Sequence, residues 1–227
     1  MRQAQESEII RLTMDIREGK SLELFKGNEV QVFDQKDMVD GMFTWADQII
    51  VAKNETRRNI NSRVRKMIFG VDTEEPVDGD KIICLRNSWE TVTEAGDVLV
   101  NGTIGTMHDI HYFQHHPFLK PKMTAHFLPE DCDENLPLDV YFRDLNIDYK
   151  LLTTGEPTVT EKNFRRFPKE FRPLTFDYGY CITCHKSQGS EYGKVLVVEE
   201  FLKGNDHARW LYTAATRAKD KLVIVRK

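Results

Sequence analysis

The sequence lacks any apolar run long enough to cross a bilayer, and no basic-then-apolar leader follows Met1. These absences exclude a membrane-spanning class and favour the cytoplasm. A strong charge imbalance is also missing, because the formal net charge is -4 over 227 residues. Nucleic-acid binding would therefore have to come from local patches. With 40% hydrophobic and 30% charged residues, the composition is typical of a globular protein with one large or two small domains.

Cysteine is scarce, and its placement argues against a disulfide framework. The four cysteines are Cys84, Cys132, Cys181 and Cys184. In an intracellular chain of this size, so few and so irregularly spaced residues are expected to be free thiols.

The stretch YCITCHKSQGSEY (180–192) nevertheless contains a C-x-x-C-H spacing. This spacing is the attachment site of a c-type haem, which needs a secreted or periplasmic chain. A zinc site would need two further ligands. If 176–183 is a strand, Cys181 and Cys184 point to opposite faces of the sheet and cannot chelate one ion. Buried packing is therefore favoured over metal, haem or redox chemistry, and no metal site is predicted.

Two histidines and three tryptophans could belong to a zinc site or a nucleic-acid site, or could be ordinary structural residues. His108 and His111 lie three residues apart, which on a strand places them on opposite faces, so strand and loop histidines are favoured over zinc. Trp45, Trp89 and Trp210 are predicted to be packing residues rather than partners of nucleic-acid bases.

Strands and helices alternate at both ends of the chain. The predicted elements cover 7–19, 29–33, 36–47, 48–52 and 56–69, and after Pro173 they cover 176–183, 194–200, 207–218 and 221–225. This alternation predicts an α/β fold, with a parallel sheet that carries helices on both faces.

Between Pro76 and Pro173 the pattern changes to strand-like segments with turn signals at Gly96-Asp97 and Asn101-Gly102. The predicted strands cover 79–87, 101–113, 138–145 and 148–154. A small antiparallel β barrel or sandwich is expected here. The sequence thus predicts a discontinuous α/β domain, 1–75 and 173–227, interrupted by a β-rich insertion, 76–172.

The run T-C-H-K-S-Q-G-S-E (183–191) follows the end of a predicted strand. It offers hydroxyl, imidazole, ammonium and amide groups together with exposed backbone N–H groups. Gly189 permits a close approach of the backbone to a ligand, and the carboxylate of Glu191 suits a sugar hydroxyl. Such groups at the carboxyl end of a parallel strand indicate a phosphate-bearing ligand.

Four segments together resemble one enzyme family. T-x-H-K-S-Q-G-S-E (183–191) resembles motif V of superfamily 1 (1B) DNA helicases of the RecD-like and phage Dda-like group, and LYTAATRAKDKLVIV (211–225) resembles their motif VI. The opening segment 1–20 resembles motif IV. RNINSRVRKMIFG (58–70) resembles the junction between the second RecA-like domain (2A) and its inserted SH3-like domain (2B). The resemblance covers nearly the whole chain and is weakest over 114–172.

The resemblance implies a fold and a function. The fold would be a RecA-like, P-loop NTPase-type parallel sheet interrupted by a small SH3-like β-barrel. The function would be that of the C-terminal motor half of an ATP-dependent 5′-to-3′ DNA helicase, similar to the exodeoxyribonuclease V alpha type. Its expected setting is the cytoplasm of a bacterial or phage-infected cell.

The resemblance also implies roles for individual residues, in three groups. Arg217 would be an arginine finger that contacts the γ-phosphate of ATP, with Arg2 as a second γ-phosphate contact. Gln188, Gly189 and Glu191 would bind the nucleotide. Thr183 and His185 would face single-stranded DNA, together with Lys186, which lies between the two sites.

No G-x-x-x-x-G-K-[ST] motif occurs in the 227 residues. ATP and Mg²⁺ would therefore be bound mainly by the N-terminal RecA-like domain of the same helicase, and this chain alone is expected to be inactive. The run KVLVVEE (194–200) is interpreted as a structural strand. The expected partners are single-stranded DNA, that N-terminal domain and replication or recombination proteins, without a membrane. The alternative is a non-catalytic single-stranded nucleic-acid-binding or regulatory module.

Two basic segments are candidate DNA contacts. The segment 51–66 has six basic residues against one acidic residue, and Lys53, Asn54 and Thr56 stand where a strand meets a helix start, a natural phosphate site. The segment 162–172 has five basic residues among three phenylalanines, which either stack on unpaired bases or close the core of the insertion. The acidic segment 129–139 is expected to face away from DNA.

Overall fold

A computed structural model describes residues 7–70, 75–113, 122–130, 141–160, 163, 172–203 and 206–227. Within these residues the helices are α1 (Glu8–Arg17), α2 (Asp40–Trp45), α3 (Asn54–Phe69), α4 (Tyr149–Thr154) and α5 (Asp206–Ala215), with a short 3-10 helix at Gln35–Asp37. The strands are β1 (Phe25–Lys26), β2 (Val30–Asp34), β3 (Gln48–Val51), β4 (Lys81–Cys84), β5 (Ser88–Val92), β6 (Val98–Leu99), β7 (Ile104–Phe113), β8 (Lys122–Pro129), β9 (Phe142–Ile147), β10 (Phe176–Tyr178), β11 (Cys181–Thr183), β12 (Tyr192–Val198) and β13 (Ala218–Arg226). None of these helices is long and apolar enough to span a bilayer.

The chain divides into two compact units. Unit 1 comprises Met1–Ile68 and Tyr180–Lys227, and unit 2 comprises Phe69–Gly179. Unit 1 is built on a six-stranded sheet with the strand order β1-β2-β13-β12-β3-β11. All neighbouring strands pair in parallel except β1, which pairs antiparallel with β2. The parallel α/β arrangement predicted from the sequence is therefore confirmed.

Helices cover both faces of this sheet because successive side chains of its strands are buried on alternate sides. Ile50 packs in a cluster with α1 and α5, whereas its neighbours Ile49 and Val51 pack in a second cluster with α2 and α3. Cys184 belongs to the first cluster and Cys181 to the second, so the two thiols lie on opposite faces, as the strand pattern predicts.

The edge strand β11 has a strand neighbour on one side and a side chain on the other. It pairs with β3, while the amide of Asn61 in α3 bonds the backbone of Cys181 twice. Asn61 Nδ2 donates to the Cys181 carbonyl (2.9 Å), and the Cys181 N–H donates to Asn61 Oδ1 (2.8 Å). Asn61 is 2% exposed, so it replaces strand pairing where water cannot reach. This pairing fixes the strand that leads directly into residues 184–191.

We expect Asn61→Leu to lower the free energy of unfolding by about 3 kcal/mol, because the buried N–H and C=O of Cys181 would each lose a partner. Chemical denaturation of the purified chain measures this loss. Asn59→Leu is the matched control, since Asn59 lies on the same helix with an exposed side chain. Equal stability of the two variants would contradict the proposed role of Asn61.

Unit 2 contains a five-stranded antiparallel sheet with the strand order β10-β4-β7-β8-β9. Phe127 packs against Phe142 and Phe176 in its core, with ring centroids 6.1 Å and 5.1 Å apart. A separate two-stranded hairpin is formed by β5 and β6. The antiparallel pairing agrees with the sequence prediction, whereas the assignment as an SH3-like domain remains a prediction.

Two predicted strands differ from the structure, each for a local reason. Residues 148–154 form helix α4, because the Asp148 carboxylate accepts the Leu151 N–H (3.1 Å) and Gly155 ends the helix with φ +74°. The predicted strand 176–183 is divided, since Phe176–Tyr178 pairs with β4 in unit 2 and Cys181–Thr183 pairs with β3 in unit 1.

Candidate functional site

Two predicted groups of DNA contacts meet at the C-terminal end of the unit 1 sheet. Thr183 is paired with Val51, and the Cys184 N–H donates to the Val51 carbonyl (3.0 Å), so β11 and β3 end side by side. The segments that follow these strands, 52–56 and 184–186, therefore start at the same end of the sheet. Lys53, Asn54 and His185 are exposed there, while Thr183 is buried.

A carboxylate of the chain itself occupies the start of α3. Glu200 Oε2 accepts the N–H groups of Ala52 and Lys53, each at 2.8 Å, and Oε1 accepts the Thr56 hydroxyl at 2.5 Å. Glu200 is 8% exposed. The expectation of an open phosphate site at this helix start is thereby corrected, because these donors already bind an anion. The exposed side chains of Lys53 and Asn54 still face outward.

An exposed aromatic ring follows directly after Glu200. Phe201 is 70% exposed, and its ring lies 5.9 Å from the ring of His207. His207 Nε2 in turn bonds Glu199 Oε1 (2.9 Å), which anchors the pair to the end of β12. Phe201 therefore adds a positioned aromatic surface to this end of the sheet. Its exposure was not predicted, because a single phenylalanine after a buried strand carries no signal of exposure in the sequence.

The basic segment 51–66 is not one solvent-exposed face. Arg57 and Arg65 are buried among the residues of α3 and its neighbours. Arg63 forms an ion pair with Asp40, and its guanidinium lies 5.1 Å from the centre of the Phe43 ring. The positive charge available at this surface is therefore smaller than the composition of the segment suggests.

The other group of predicted residues lies at the opposite, N-terminal end of the same sheet. Tyr192 and Ala218 are paired at the starts of β12 and β13, and the Tyr192 N–H donates to the Arg217 carbonyl (2.9 Å). Glu191 and Arg217, one residue upstream of these starts, therefore stand next to each other in the sheet register. Strand β12 has seven residues, so the two ends lie roughly 20 Å apart.

The guanidinium of Arg217 is half-buried and bonds three neutral oxygens. Nε donates to the Thr213 carbonyl, Nη1 to the Ser190 carbonyl and Nη2 to the Thr216 hydroxyl, each at 3.2 Å. Among the residues that the structure describes, no carboxylate forms an ion pair with Arg217. The guanidinium is thus oriented by neutral groups, which leave its positive charge uncompensated.

Residues 184–191 connect the two ends of the sheet through a series of turns. The N–H groups of Lys186 and Ser187 donate to the Thr183 carbonyl (2.8 and 3.3 Å), and the buried Ser187 hydroxyl donates to the Cys184 carbonyl (2.8 Å). Gly189 has φ +89° and is exposed, which permits the turn and leaves its backbone open. Gln188 and Glu191 are likewise exposed.

The two thiols near this segment are buried and are not activated nucleophiles. Burial raises the pKa of Cys181 well above its ordinary value, with a smaller opposing effect of Arg57. Burial also raises the pKa of Cys184, opposed by the Ser187 hydrogen bond and by Arg217. Both thiols are therefore weaker acids than an ordinary cysteine, whereas a reactive nucleophile needs a lowered pKa.

Several predicted residues lie outside the described part of the chain. They are Arg2, Cys132, residues 114–121 and 131–140, and most of the segment 162–172. His108 and His111 lie on either side of a bulge in β7 and contact Asp78 and Asp109, respectively. In the described ranges, no group of three or more His, Cys, Asp or Glu residues is arranged to hold a metal ion.

The tryptophans follow the sequence prediction only in part. Trp210 is buried in the first cluster, and Trp45 packs against the second. Trp89, by contrast, is 70% exposed on strand β5 of unit 2. The prediction that all three are packing residues is therefore wrong for Trp89.

Residues 178–225 match the family described as UvrD-like helicase C-terminal domain, a range that includes Thr183–Glu191 and Arg217. Comparison with curated proteins gives no significant match. Among solved structures, the chain is similar to a Pif1 helicase from Candida albicans (TM-score 0.53, 17% identity, 99% of this chain and 54% of that chain). It is also similar to Bacteroides Pif1 bound to ssDNA (TM-score 0.51, 12% identity, 96% and 48%).

A further similar structure is Pif1 helicase from Bacteroides in complex with ADP-AlF3 and ssDNA (TM-score 0.50, 12% identity, 98% and 49%). The chain spans about half the length of these solved structures. At these identities the likeness establishes the fold, and the predicted RecA-like α/β class is confirmed.

Proposed function

We propose that the chain is the C-terminal part of a superfamily 1 DNA helicase, which contributes an arginine finger and contacts to single-stranded DNA. The observation that carries this proposal is the environment of Arg217. Three neutral oxygens orient its guanidinium, one of them the Ser190 carbonyl of the segment that resembles motif V. A cation held in this way is suited to an anion supplied by another domain, such as the γ-phosphate of ATP.

ATP and Mg²⁺ would be held mainly by an N-terminal RecA-like domain, because the 227 residues contain no P-loop motif. This chain would complete the site from the N-terminal end of its sheet. The exposed backbone of Gly189 and the carboxylate of Glu191 would contact the nucleotide, with Gln188 beside them. Arg2 would be a second γ-phosphate contact. The match of residues 178–225 to a helicase C-terminal domain supports this division of labour.

Single-stranded DNA would bind at the C-terminal end of the same sheet. Lys53, Asn54, His185 and Lys186 would contact phosphates there, with Thr183 and Thr56 behind them. We also propose that Phe201 stacks on an unpaired base, because its exposed ring lies against His207 at this end of the sheet. Two of the similar structures, both of Bacteroides Pif1 with ssDNA, support DNA as the partner.

The same proposal includes several finer features. The RecD-like and Dda-like type, the 5′-to-3′ polarity and the SH3-like nature of unit 2 rest on the resemblance of 183–191 to motif V and of 58–70 to the domain junction. Partners in replication or recombination rest on the same resemblance.

A non-catalytic module that binds single-stranded nucleic acid is the second candidate, favoured by the missing P-loop motif. ATP hydrolysis separates the two candidates. It is measured on the chain alone and on the chain joined to the N-terminal RecA-like domain that the first proposal requires. DNA-stimulated hydrolysis in the joined protein alone supports the motor, whereas no hydrolysis in either protein supports the module.

We expect Phe201→Ala to weaken binding of oligothymidylate roughly tenfold without changing the salt dependence of binding, because stacking of a base on an aromatic ring releases no counterions.

Lys53→Ala should weaken binding and also reduce the log–log salt slope by about 0.7, the value for one phosphate contact on a single strand. Fluorescence anisotropy over a series of salt concentrations measures both effects. Lys36→Ala, on an exposed residue after β2, is the control for charge removal elsewhere in unit 1. Equal affinities of Phe201→Ala and the unaltered chain would contradict the stacking role.

A further inference from the structure

Unit 2 has a groove of about 640 Å³ between three of its segments. Its walls come from residues 86–92, which include strand β5, from residues 143–146 of β9 and from the segment 172–175. All of its lining residues belong to unit 2.

Three arginines from three different segments line this groove: Arg86, Arg143 and Arg172. Unit 2 is otherwise acidic, with 11 basic and 20 acidic residues, whereas unit 1 has 21 basic and 16 acidic residues. Lys81 and Lys150 are the other basic side chains that the structure describes in unit 2, and each pairs with a glutamate, at 2.8 Å and 3.0 Å. The basic side chains described in this acidic unit are thus concentrated in one place.

The groove also contains acidic groups, which limit its affinity for anions. Glu90 and Asp144 are among its lining residues. Arg143 lies 3.5 Å from Glu94, and both side chains are well exposed, so this ion pair is weak and can be exchanged for a phosphate.

Trp89 supplies an aromatic surface on the wall formed by β5. It is 70% exposed, and Val92, on the same strand, is 54% exposed. An indole face so open to water contrasts with the rings of Phe127, Phe142 and Phe176, which are buried in the core of the same unit. Trp89 next to arginines from both neighbouring walls combines stacking and charge, the two elements of single-strand recognition.

We infer that this groove is a second site for single-stranded nucleic acid, in which Trp89 stacks on an unpaired base and the arginines contact phosphates. The inference rests on the proposed binding of single-stranded DNA and extends it to unit 2. A duplex would fit poorly, because its bases are already stacked on each other and do not offer a free face to an indole.

The test measures binding of oligothymidylate to the whole chain, with fluorescence anisotropy and tryptophan fluorescence as the two readouts. We expect Trp89→Ala to weaken affinity roughly tenfold, and Trp89→Phe to recover most of the loss because it keeps a stacking ring. Arg143→Ala should reduce the salt slope by about 0.7. Lys150→Ala is the matched control, since Lys150 lies in unit 2 outside the groove. Tryptophan fluorescence should be quenched by the oligonucleotide in the unaltered chain and much less in Trp89→Phe.

The outcomes separate this inference from the proposed function. If Lys53→Ala weakens binding while the Trp89 and Arg143 variants bind normally, the proposed binding site in the groove is overturned and the proposed function stands. If the Trp89 and Arg143 variants lose affinity while Lys53→Ala and Phe201→Ala do not, the groove stands and the contacts proposed on unit 1 are overturned. Equal quenching by a blunt duplex would overturn single-strand recognition by Trp89, and no binding by the unaltered chain would overturn both proposals.

Discussion

Arg217→Ala is expected to lower DNA-stimulated ATP hydrolysis by about three orders of magnitude or more in the chain joined to an N-terminal RecA-like domain. On the proposed function Arg217 is an arginine finger, and removal of such a residue has effects of this size, because the guanidinium stabilises charge that develops on the transferred phosphoryl group. Affinity for oligothymidylate should not change, since Arg217 stands at the end of the sheet opposite to Lys53 and His185. Steady-state hydrolysis with and without DNA, together with anisotropy, measures both quantities.

Two further variants sharpen the expectation for Arg217. Arg217→Lys keeps the charge but loses the planar fork that bonds Ser190 and Thr216, so it should recover only part of the activity. Arg209→Ala is the matched control, because Arg209 is an exposed arginine on the same helix, α5. A normal rate of ATP hydrolysis in Arg217→Ala would show that Arg217 has no role in catalysis.

The second large effect is expected for Glu200→Gln, which should lower the free energy of unfolding by about 3 kcal/mol. Glutamine has one acceptor oxygen instead of two and no charge, so it cannot satisfy the Ala52, Lys53 and Thr56 donors together. The favourable interaction of a carboxylate with the start of α3 would be lost as well. Thermal and chemical denaturation of the purified chain measure the change.

Glu55→Gln is the matched control for Glu200→Gln. Glu55 lies in the first turn of the same helix, but its side chain is exposed. On the proposed function, Glu200→Gln should also weaken binding of oligothymidylate, because Lys53 would lose its fixed position, while Glu55→Gln should leave binding unchanged or slightly stronger. If the two variants proved equally stable, Glu200 would not be a capping residue.

The sequence was sufficient for those features that depend on short-range patterns. The alternation of strands and helices along the chain predicted the parallel sheet, and the odd spacing of Cys181 and Cys184 predicted their placement on opposite faces. The segment 183–191 was singled out because polar groups follow a buried strand. The helix at 148–154 was missed because its apolar residues suggest a strand, although the capping residues Asp148 and Gly155 give the correct answer.

Features that depend on long-range contacts could not be predicted in this way. Glu200 lies 148 residues from Ala52 along the chain, so nothing near α3 in the sequence shows that a carboxylate fills its start. The exposure of Trp89 and Phe201 likewise depends on which surfaces the rest of the fold leaves uncovered. The local composition of 51–66 overstated its exposed charge, because burial of Arg57 and Arg65 is decided by the packing of α3.

Thr183 and Arg217 stand at opposite ends of one continuous sheet, and this placement has a mechanical consequence. Parallel strands buried on both faces form a stiff body, so a tilt of the sheet displaces its two ends together and in opposite directions. On the proposed function, closure of the N-terminal RecA-like domain and unit 1 around a nucleotide at one end of the sheet would therefore displace the bound DNA strand at the other end. No rearrangement inside unit 1 would be needed.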